Sequence, residues 1–293
     1  MLVTGVGGFI APHVARLLRN NGHDVVGVDI KPLTDSDFEV AAADLLSGEP
    51  LSDLLHDVDA ICHLAGVGDV YLATADPALA ARLNVEATAN LVTRAAAAGV
   101  SKVVFASTWE VYGHPRYQPI DELHPCEPDH PYSITKLAAE RIGRAIADST
   151  AIQFVALRLG TAYGTGMRSN SVFSAFIERA RRKQPLVING PGHQFRQFTH
   201  VSDTARAFLL SCESDIGSDT LNIVAEERTS IVELAELVQR RFGADIVHEA
   251  SRTGDVAPAL VSSERAGELL GWRPTVTFDE GLEELMDSYV RVH

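Results

Sequence analysis

The first 160 residues alternate short, almost wholly apolar runs with stretches of helical pattern, and few folds accept such a rhythm. The apolar runs are MLVT (1–4), DVVGVD (24–29), FEVAAAD (38–44), AICHLA (60–65), KVVFAST (102–108) and IQFVALRLG (152–160). Most are continuously apolar rather than strictly alternating, which marks strands covered on both faces. Helical patterns fall between them, at 9–21, 50–56, 77–98 and 131–148. The third of these opens at Pro77 and closes at Gly99, the residue types that start and stop helices. Strands separated by helices pair in parallel, so the pattern predicts an α/β chain with a doubly wound, mainly parallel sheet.

Beyond about residue 165 the alternation loosens. The pattern predicts helices at 170–183, 202–213, 230–242, 262–270 and 279–291, with short strands at 186–189 and 220–224. The expected division is a nucleotide-binding domain over 1–165 and a smaller mixed α/β lobe over 166–293, part of which crosses back to the sheet. A chain of 293 residues is long enough for this arrangement.

Charge and cysteine content narrow the function classes. A formal charge of −14 argues against a general nucleic-acid binder, which needs clustered Lys and Arg. A small anionic ligand, needing only two or three placed Arg residues, stays open. Cys62, Cys126 and Cys212 are scattered, with no CxxC and no His/Cys cluster, so the expectation is reduced thiols in a cytoplasmic protein and no metal. No apolar run reaches membrane-span length and no signal peptide is expected. Because MLVTG opens inside the first strand, the natural start is expected a few residues upstream.

TGVGGFIA places Gly5, Gly8 and Ala11 at a strand-to-helix junction. There small residues let a pyrophosphate approach backbone N–H groups and the helix N-terminus. Gly at a tight turn is common, but the next strand ends in Asp29. An acidic residue about 20 positions beyond the glycines accepts from the ribose hydroxyls of NAD and repels the 2′-phosphate of NADP. ADLL (43–46) and HLAG (63–66) likewise sit at C-terminal strand ends, where open α/β sheets bind ligands.

The chemistry is carried by FASTWEVYG (105–113) and YSITK (132–136). Tyr132 and Lys136 are four residues apart on one predicted helix, so they share a face. A phenol is a poor base at neutral pH, and a nearby ammonium favours its ionised form. Thr108, at the mouth of the preceding strand, can hydrogen-bond the same substrate hydroxyl. Together they could take a proton from an alcohol while nicotinamide takes the hydride.

With these residues in view, the chain resembles the extended short-chain dehydrogenase/reductase family, among its nucleotide-sugar epimerases and dehydratases. The resemblance rests on TGxxGFI (4–10), Asp29, the ST-x-E-VYG run (107–113) and YxxxK (132–136). It continues through LRLGTAYG (157–164), FRQFTHVSDTARA (195–207), RTGDV (252–256) and LLGWRPTVTFDEGL (269–282). It implies a Rossmann-type sheet with a C-terminal substrate lobe, NAD as cofactor and a cytoplasmic homodimer built on the helices at 77–98 and 131–148.

Carried over residue by residue, the resemblance implies that Thr108, Tyr132 and Lys136 are catalytic, with Lys136 also holding the nicotinamide ribose. Gly5, Gly8, Phe9, Ile10, Asp29, Asp44, Leu45, Leu64, Ala65, Gly66 and Asn84 would line the NAD site. Arg196 and Arg252 would grip the substrate diphosphate, with Asn170 or Ser171 as a further substrate contact. Two departures bear on the reaction. Thr161 stands where nucleotide-sugar enzymes usually have an Asn, and Trp109 stands where enzymes that eliminate water carry an acidic Asp. Trp109 would stack on the sugar or wall the pocket, and Glu110 is kept as in dehydratases and decarboxylases. The resemblance therefore implies an NAD-dependent nucleotide-sugar 4-epimerase. The alternatives are a dehydratase or decarboxylase using Glu110, a keto-sugar reductase consuming NAD(P)H, and a non-catalytic nucleotide-binding protein of the same fold.

Overall fold

The structure is a computed structural model that describes residues 1–31, 33, 36–47, 49–250 and 259–291. The first half runs β1 (Leu2–Thr4), α1 (Ala11–Asn20), β2 (Val26–Asp29), β3 (Glu39–Ala42), α2 (Glu49–Leu54), β4 (Ala60–His63), α3 (Val70–Ala75) and α4 (Pro77–Ala81). A π-helical turn (Arg82–Glu86) follows, then α5 (Ala87–Ala97), β5 (Lys102–Thr108), a 3₁₀ turn (Trp109–Tyr112), α6 (Pro131–Asp148) and β6 (Gln153–Leu159). The remainder comprises β7 (Thr161–Tyr163), α7 (Val172–Arg181), β8 (Leu186–Asn189), β9 (Phe195–Arg196), β10 (Phe198–His200), α8 (Val201–Glu213) and β11 (Asp219–Ile223). It ends with β12 (Thr229–Ser230), α9 (Ile231–Phe242), β13 (Ile246–Glu249), α10 (Glu264–Leu270) and α11 (Phe278–Arg291).

Seven strands form one sheet in the order β11-β6-β5-β4-β1-β2-β3, and every pairing in it is parallel. The order reverses between β1 and β4, so a crevice opens there beyond the carboxyl ends of the strands. The doubly wound sheet predicted from the apolar runs is thus the sheet observed. Its strands are apolar because both faces are covered. Val14, Ala15 and Leu18 of α1 pack with Phe208 of α8 on one face, and Leu91 and Val92 of α5 pack with Phe105 and Phe154 on the other.

A third core, with Phe173, Phe176, Leu234, Val238, Leu282 and Leu285, belongs to the C-terminal part. The chain does not stay there: α8 lies against α1, and β11 pairs with β6 at the edge of the main sheet. Lys102, buried at the start of β5, donates its Nζ to the Ser211 carbonyl at 3.0 Å and to that of Ser214. A cation is thereby set at the carbonyl end of α8. Cys62 and Cys212, distant in sequence, bring their Sγ atoms to 3.4 Å across the α8–sheet contact as free thiols. They are therefore not scattered in space, as their spacing suggests.

Asp203 joins the two ends of the C-terminal part. Its carboxylate, 1% exposed, accepts from the Thr275 N–H (3.0 Å), the Thr275 hydroxyl (2.7 Å) and the Val276 N–H (3.0 Å). Its carbonyl accepts from the Trp272 indole at 2.9 Å. The segments VSD (201–203) and GWRPTV (271–276) are thus two halves of one buried lock. Asp203→Ala strips a desolvated acceptor from those donors. It should cost about 3 kcal/mol and lower the thermal midpoint by roughly 5 °C or more. Calorimetry checks this; an unchanged midpoint would show that the lock contributes nothing.

Candidate active site

The glycine turn sits at the sheet's switch point. Gly5 has φ +79°, and a Cβ there would lie 2.8 Å from the Ala65 backbone, so only glycine lets β1 turn against the loop after β4. Asp29, at the end of β2, accepts the Gly7 N–H at 2.8 Å and so ties the turn to the strand expected to meet a ribose. Helix α1 begins directly behind this turn. Its first turn holds no acidic residue, and its N-cap Ile10 offers no side-chain acceptor. N–H donors that no side chain caps, behind a turn without side-chain bulk, fit a pyrophosphate. When bound, NAD supplies the acceptor and donor of a hydride.

A hydrogen-bonded relay fixes the other side of the crevice. His63, fully buried on β4, joins Thr4 Oγ1 through Nδ1 (2.8 Å) and Thr88 Oγ1 through Nε2 (2.9 Å). The Thr88 hydroxyl donates to the Asn84 carbonyl, and Thr4 Oγ1 accepts the Leu64 and Ala65 N–H groups. These roles place the ring proton on Nε2. Burial holds the imidazole neutral, with its pKa pushed down to about 3. Asn84 completes the clamp by bonding both backbone groups of Val67 (2.8 and 3.1 Å) and the Thr135 hydroxyl of α6 (2.9 Å).

A cavity of about 480 Å³ opens over these elements. Of the residues singled out in the sequence, its wall brings together Gly5, Gly8, Phe9, Ile10, Leu64, Gly66, Thr108, Trp109, Glu110, Tyr132, Lys136, Thr161, Asn170 and Ser171. Asp29, Asp44, Leu45, Ala65 and Asn84 lie outside that wall. Asp44 turns its carboxylate to the Leu46 N–H, Leu45 is in the core, and Ala65 and Asn84 support the loop from behind. Arg196 lines a smaller cavity that shares Trp109, Gly160 and Thr161 with the first. Arg252 lies outside the described residues. Ser171 is the N-cap of α7, accepting from the Ser174 N–H, and Asn170 donates to Asp69.

The catalytic candidates converge from two elements. Thr108 ends β5 and accepts the Glu110 N–H at 3.2 Å, starting the 3₁₀ turn. Tyr132 and Lys136 stand one turn apart at the start of α6, which Pro131 opens. Lys136 is 4% exposed and donates its Nζ to the Ala106 carbonyl at 3.0 Å, over the Phe105 ring. Burial draws its pKa down to about 8, against an upward pull from Glu140. A buried pair one turn further on holds the helix: Arg158 of β6 donates to Glu140 at 2.8 and 3.1 Å, and Ser107 donates to the same carboxylate.

One expectation is corrected here. The Tyr132 phenol is not made more acidic in the protein alone. Burial raises its pKa above the ordinary value, and the Glu110 charge raises it further, while hydrogen bonding from Thr108 opposes them. Lys136 donates one N–H to the Ala106 carbonyl, and the phenol is shifted by burial and by Glu110, against Thr108 and Arg168.

Two further residues, Arg168 on the cavity wall and His130 beside Glu110, carry no signal in the sequence. Arg168 follows the loop after β7, pairs with Asp69 (2.9 Å) and faces the Tyr132 side of the cavity. His130, the N-cap of α6, reaches Glu110. Among the described residues, no group of three or more His, Cys, Asp or Glu side chains is arranged to hold a metal, and no helix is long and apolar enough to cross a membrane.

Comparisons with known proteins agree with the geometry. The family model described as the NAD dependent epimerase/dehydratase family matches residues 1–223. The UDP-glucose 4-epimerase of Mycolicibacterium smegmatis is 30% identical, over 98% of this chain and 97% of its own length. UDP-glucuronic acid decarboxylase 1 of Xenopus tropicalis is 28% identical over 99% of this chain and 72% of its own length. Among solved structures, MoeE5 in complex with UDP-glucuronic acid and NAD superposes with a TM-score of 0.91 at 35% identity, covering 100% of this chain and 99% of that one.

The buried amine gives a pH-dependent prediction with a definite sign. Lys136 titrates near 8 folded and near 10.5 unfolded, so between those values the unfolded chain binds more protons and stability rises with pH. Below pH 8 the folded state carries the full desolvation cost, on the order of 3 kcal/mol. Lys136→Met should therefore melt higher than the parent at pH 7 while losing activity roughly a thousandfold. Melting curves from pH 7 to 10 check it; a variant that melts lower at pH 7 contradicts it.

Proposed function

The chain belongs to the NAD-dependent epimerase/dehydratase family, and from that membership we propose that it is a UDP-sugar 4-epimerase working through a transient 4-keto sugar. The observation that carries this reading is that Thr108, Tyr132 and Lys136 line one cavity together with Gly5 and Gly8 of the glycine turn. Tyr132, with Thr108 on the same cavity wall, removes the proton of the C4 hydroxyl and later returns it. Because the phenol alone resists ionisation, that transfer depends on the loaded site. Lys136 keeps α6 on the strand and presents its remaining N–H donors to the cofactor ribose. The keto sugar turns over while its diphosphate stays held by Arg196 and Arg252, with Asn170, Ser171 and Thr161 as further contacts. The two strand-end segments around Asp29 and Asp44 hold the adenosine half of NAD.

Trp109 favours epimerisation over loss of water. It lines both cavities and packs its ring near Val111 and Val261, at the position where an elimination needs an acid. A second reading, C5 chemistry leading to decarboxylation or dehydration, is favoured by Glu110 on the cavity wall and by the decarboxylase relative.

Incubation with UDP-glucose, UDP-GlcNAc, UDP-glucuronate and dTDP-glucose, followed by NMR, separates these readings. The epimerase reading expects inversion at C4 without net consumption of cofactor, and a loss of roughly a thousandfold in Tyr132→Phe. Release of CO2 or a stable 4-keto-6-deoxy product would favour the second reading and exclude the first.

We also propose that the enzyme is a cytoplasmic homodimer joined through α5 and α6. Support comes from apolar side chains left exposed beside that face, Ile134 at 48% and Tyr71 at 81%. Light scattering should give a dimer mass for the parent and a monomer mass for Ile134→Glu with Tyr71→Glu; a parent monomer sinks the proposal.

A further inference from the structure

We propose that His130 is a positioning residue for proton transfer at Tyr132: it holds the Glu110 carboxylate by a hydrogen bond and so keeps that charge from suppressing ionisation of the phenol. The proposal rests on the reading of Tyr132 as the proton-transfer group of a C4 epimerase.

The geometry joins three side chains. His130 Nε2 lies 2.9 Å from Glu110 Oε2. The imidazole lies parallel to the Tyr132 ring, 9° between planes and 6.0 Å between centroids. Its Nδ1 accepts the Ser133 N–H at 3.4 Å as the N-cap of α6. An accepting Nδ1 puts the proton on Nε2, which must then donate to the carboxylate. His130 thus does two things at once: it starts the helix that carries Tyr132 and Lys136, and it restrains the anion beside them.

Residue choice points the same way. Helix N-caps favour Ser, Thr, Asp and Asn, and any of these would serve the backbone. None would reach across to the 3₁₀ turn with a donor while stacking on a phenol.

The electrostatics agree with the contacts. Glu110, from the 3₁₀ turn, pushes the Tyr132 pKa up, second only to burial. The same carboxylate, with a smaller contribution from Asp129, raises the His130 pKa above its ordinary value, against burial. Among the described residues, Arg168, from the loop after β7, and Lys136, one turn along α6, also line this side of the cavity, and Arg168 opposes the effect of Glu110 on the phenol. Deleting the histidine ring leaves the carboxylate without the donor that partly neutralises it, and the phenol then ionises less readily.

His130→Ser separates the two roles, since serine keeps the cap and drops the bond to Glu110. It is compared with the parent, Glu110→Gln and the double variant. His130→Ser should move the limb of kcat/KM governed by Tyr132 upward by about one pH unit, a loss near tenfold at neutral pH. In the Glu110→Gln background the same substitution should change kcat/KM less than about twofold. Independently of turnover, the imidazole resonance missing from the His130→Ser spectrum should titrate at lower pH in Glu110→Gln than in the parent. An equal penalty in both backgrounds, or a resonance whose midpoint ignores Glu110, overturns the proposal while the epimerase stands. No C4 chemistry with any UDP-sugar removes the epimerase reading and this proposal with it.

Discussion

The constraint that the surrounding structure answers to is a lysine ammonium held out of water. Lys136 sits under the start of α6, its amine against the Ala106 carbonyl and over the Phe105 ring, with 4% of its surface exposed. Such a charge is tolerated only where its surroundings are fixed, because any loosening exposes the cost of desolvation without the compensating contacts. Much of the neighbourhood serves that fixing. The Arg158–Glu140 pair and the Ser107 hydroxyl lock α6 to β5 and β6, and Asn84 ties the same helix, through Thr135, to the loop after β4. The helix that carries Tyr132 and Lys136 is therefore held from three sides.

The parallel sheet supplies the second half of the site through its topology alone. The chain reverses direction of winding between β1 and β4, and the glycine turn, the His63 relay and the mouth of β5 all fall on the resulting crevice. Rigidity on the nucleotide side comes from buried, neutral hydrogen bonding. Rigidity on the catalytic side comes from buried charge. The Trp109 and Glu110 corner lies on the same cavity wall as Thr108 and Tyr132. NAD as the cofactor follows from the family, and the uncapped N-terminus of α1 fits its pyrophosphate.

Much of this was legible in the sequence wherever physics writes a long signal. The run KVVFAST gave β5 and the Tyr132–Lys136 spacing gave the face of α6, because burial on both sides of a strand and a four-residue repeat are properties of local composition. The strands β7, β9, β10, β12 and β13 were not foreseen, because none of TAY, FR, FTH, TS and IVHE is a continuous apolar run. The single helix expected over 77–98 is interrupted at Arg82–Glu86, where a wider turn accompanies the inward placement of Asn84. Asn84, expected from the resemblance to line the NAD site, bonds Val67 and Thr135 through its side chain. The helix α3 was missed because its six residues carry no apolar stripe. Arg168 and His130 could not be read as site residues from spacing, since each reaches its partner across a loop. The phenol's resistance to ionisation was likewise invisible, because it is set by depth and by Glu110 rather than by the neighbouring lysine.

The central claim is reversible hydride removal at C4 of a UDP-sugar, with Tyr132 moving the proton. The most direct measurement follows a UDP-sugar carrying deuterium at C4 in ordinary water. The account predicts that the deuterium remains at C4 of both epimers, since the hydride leaves and returns within one closed site while only the hydroxyl proton exchanges. Loss of the label to solvent as the configuration inverts would contradict it, because inversion would then proceed by proton removal from carbon.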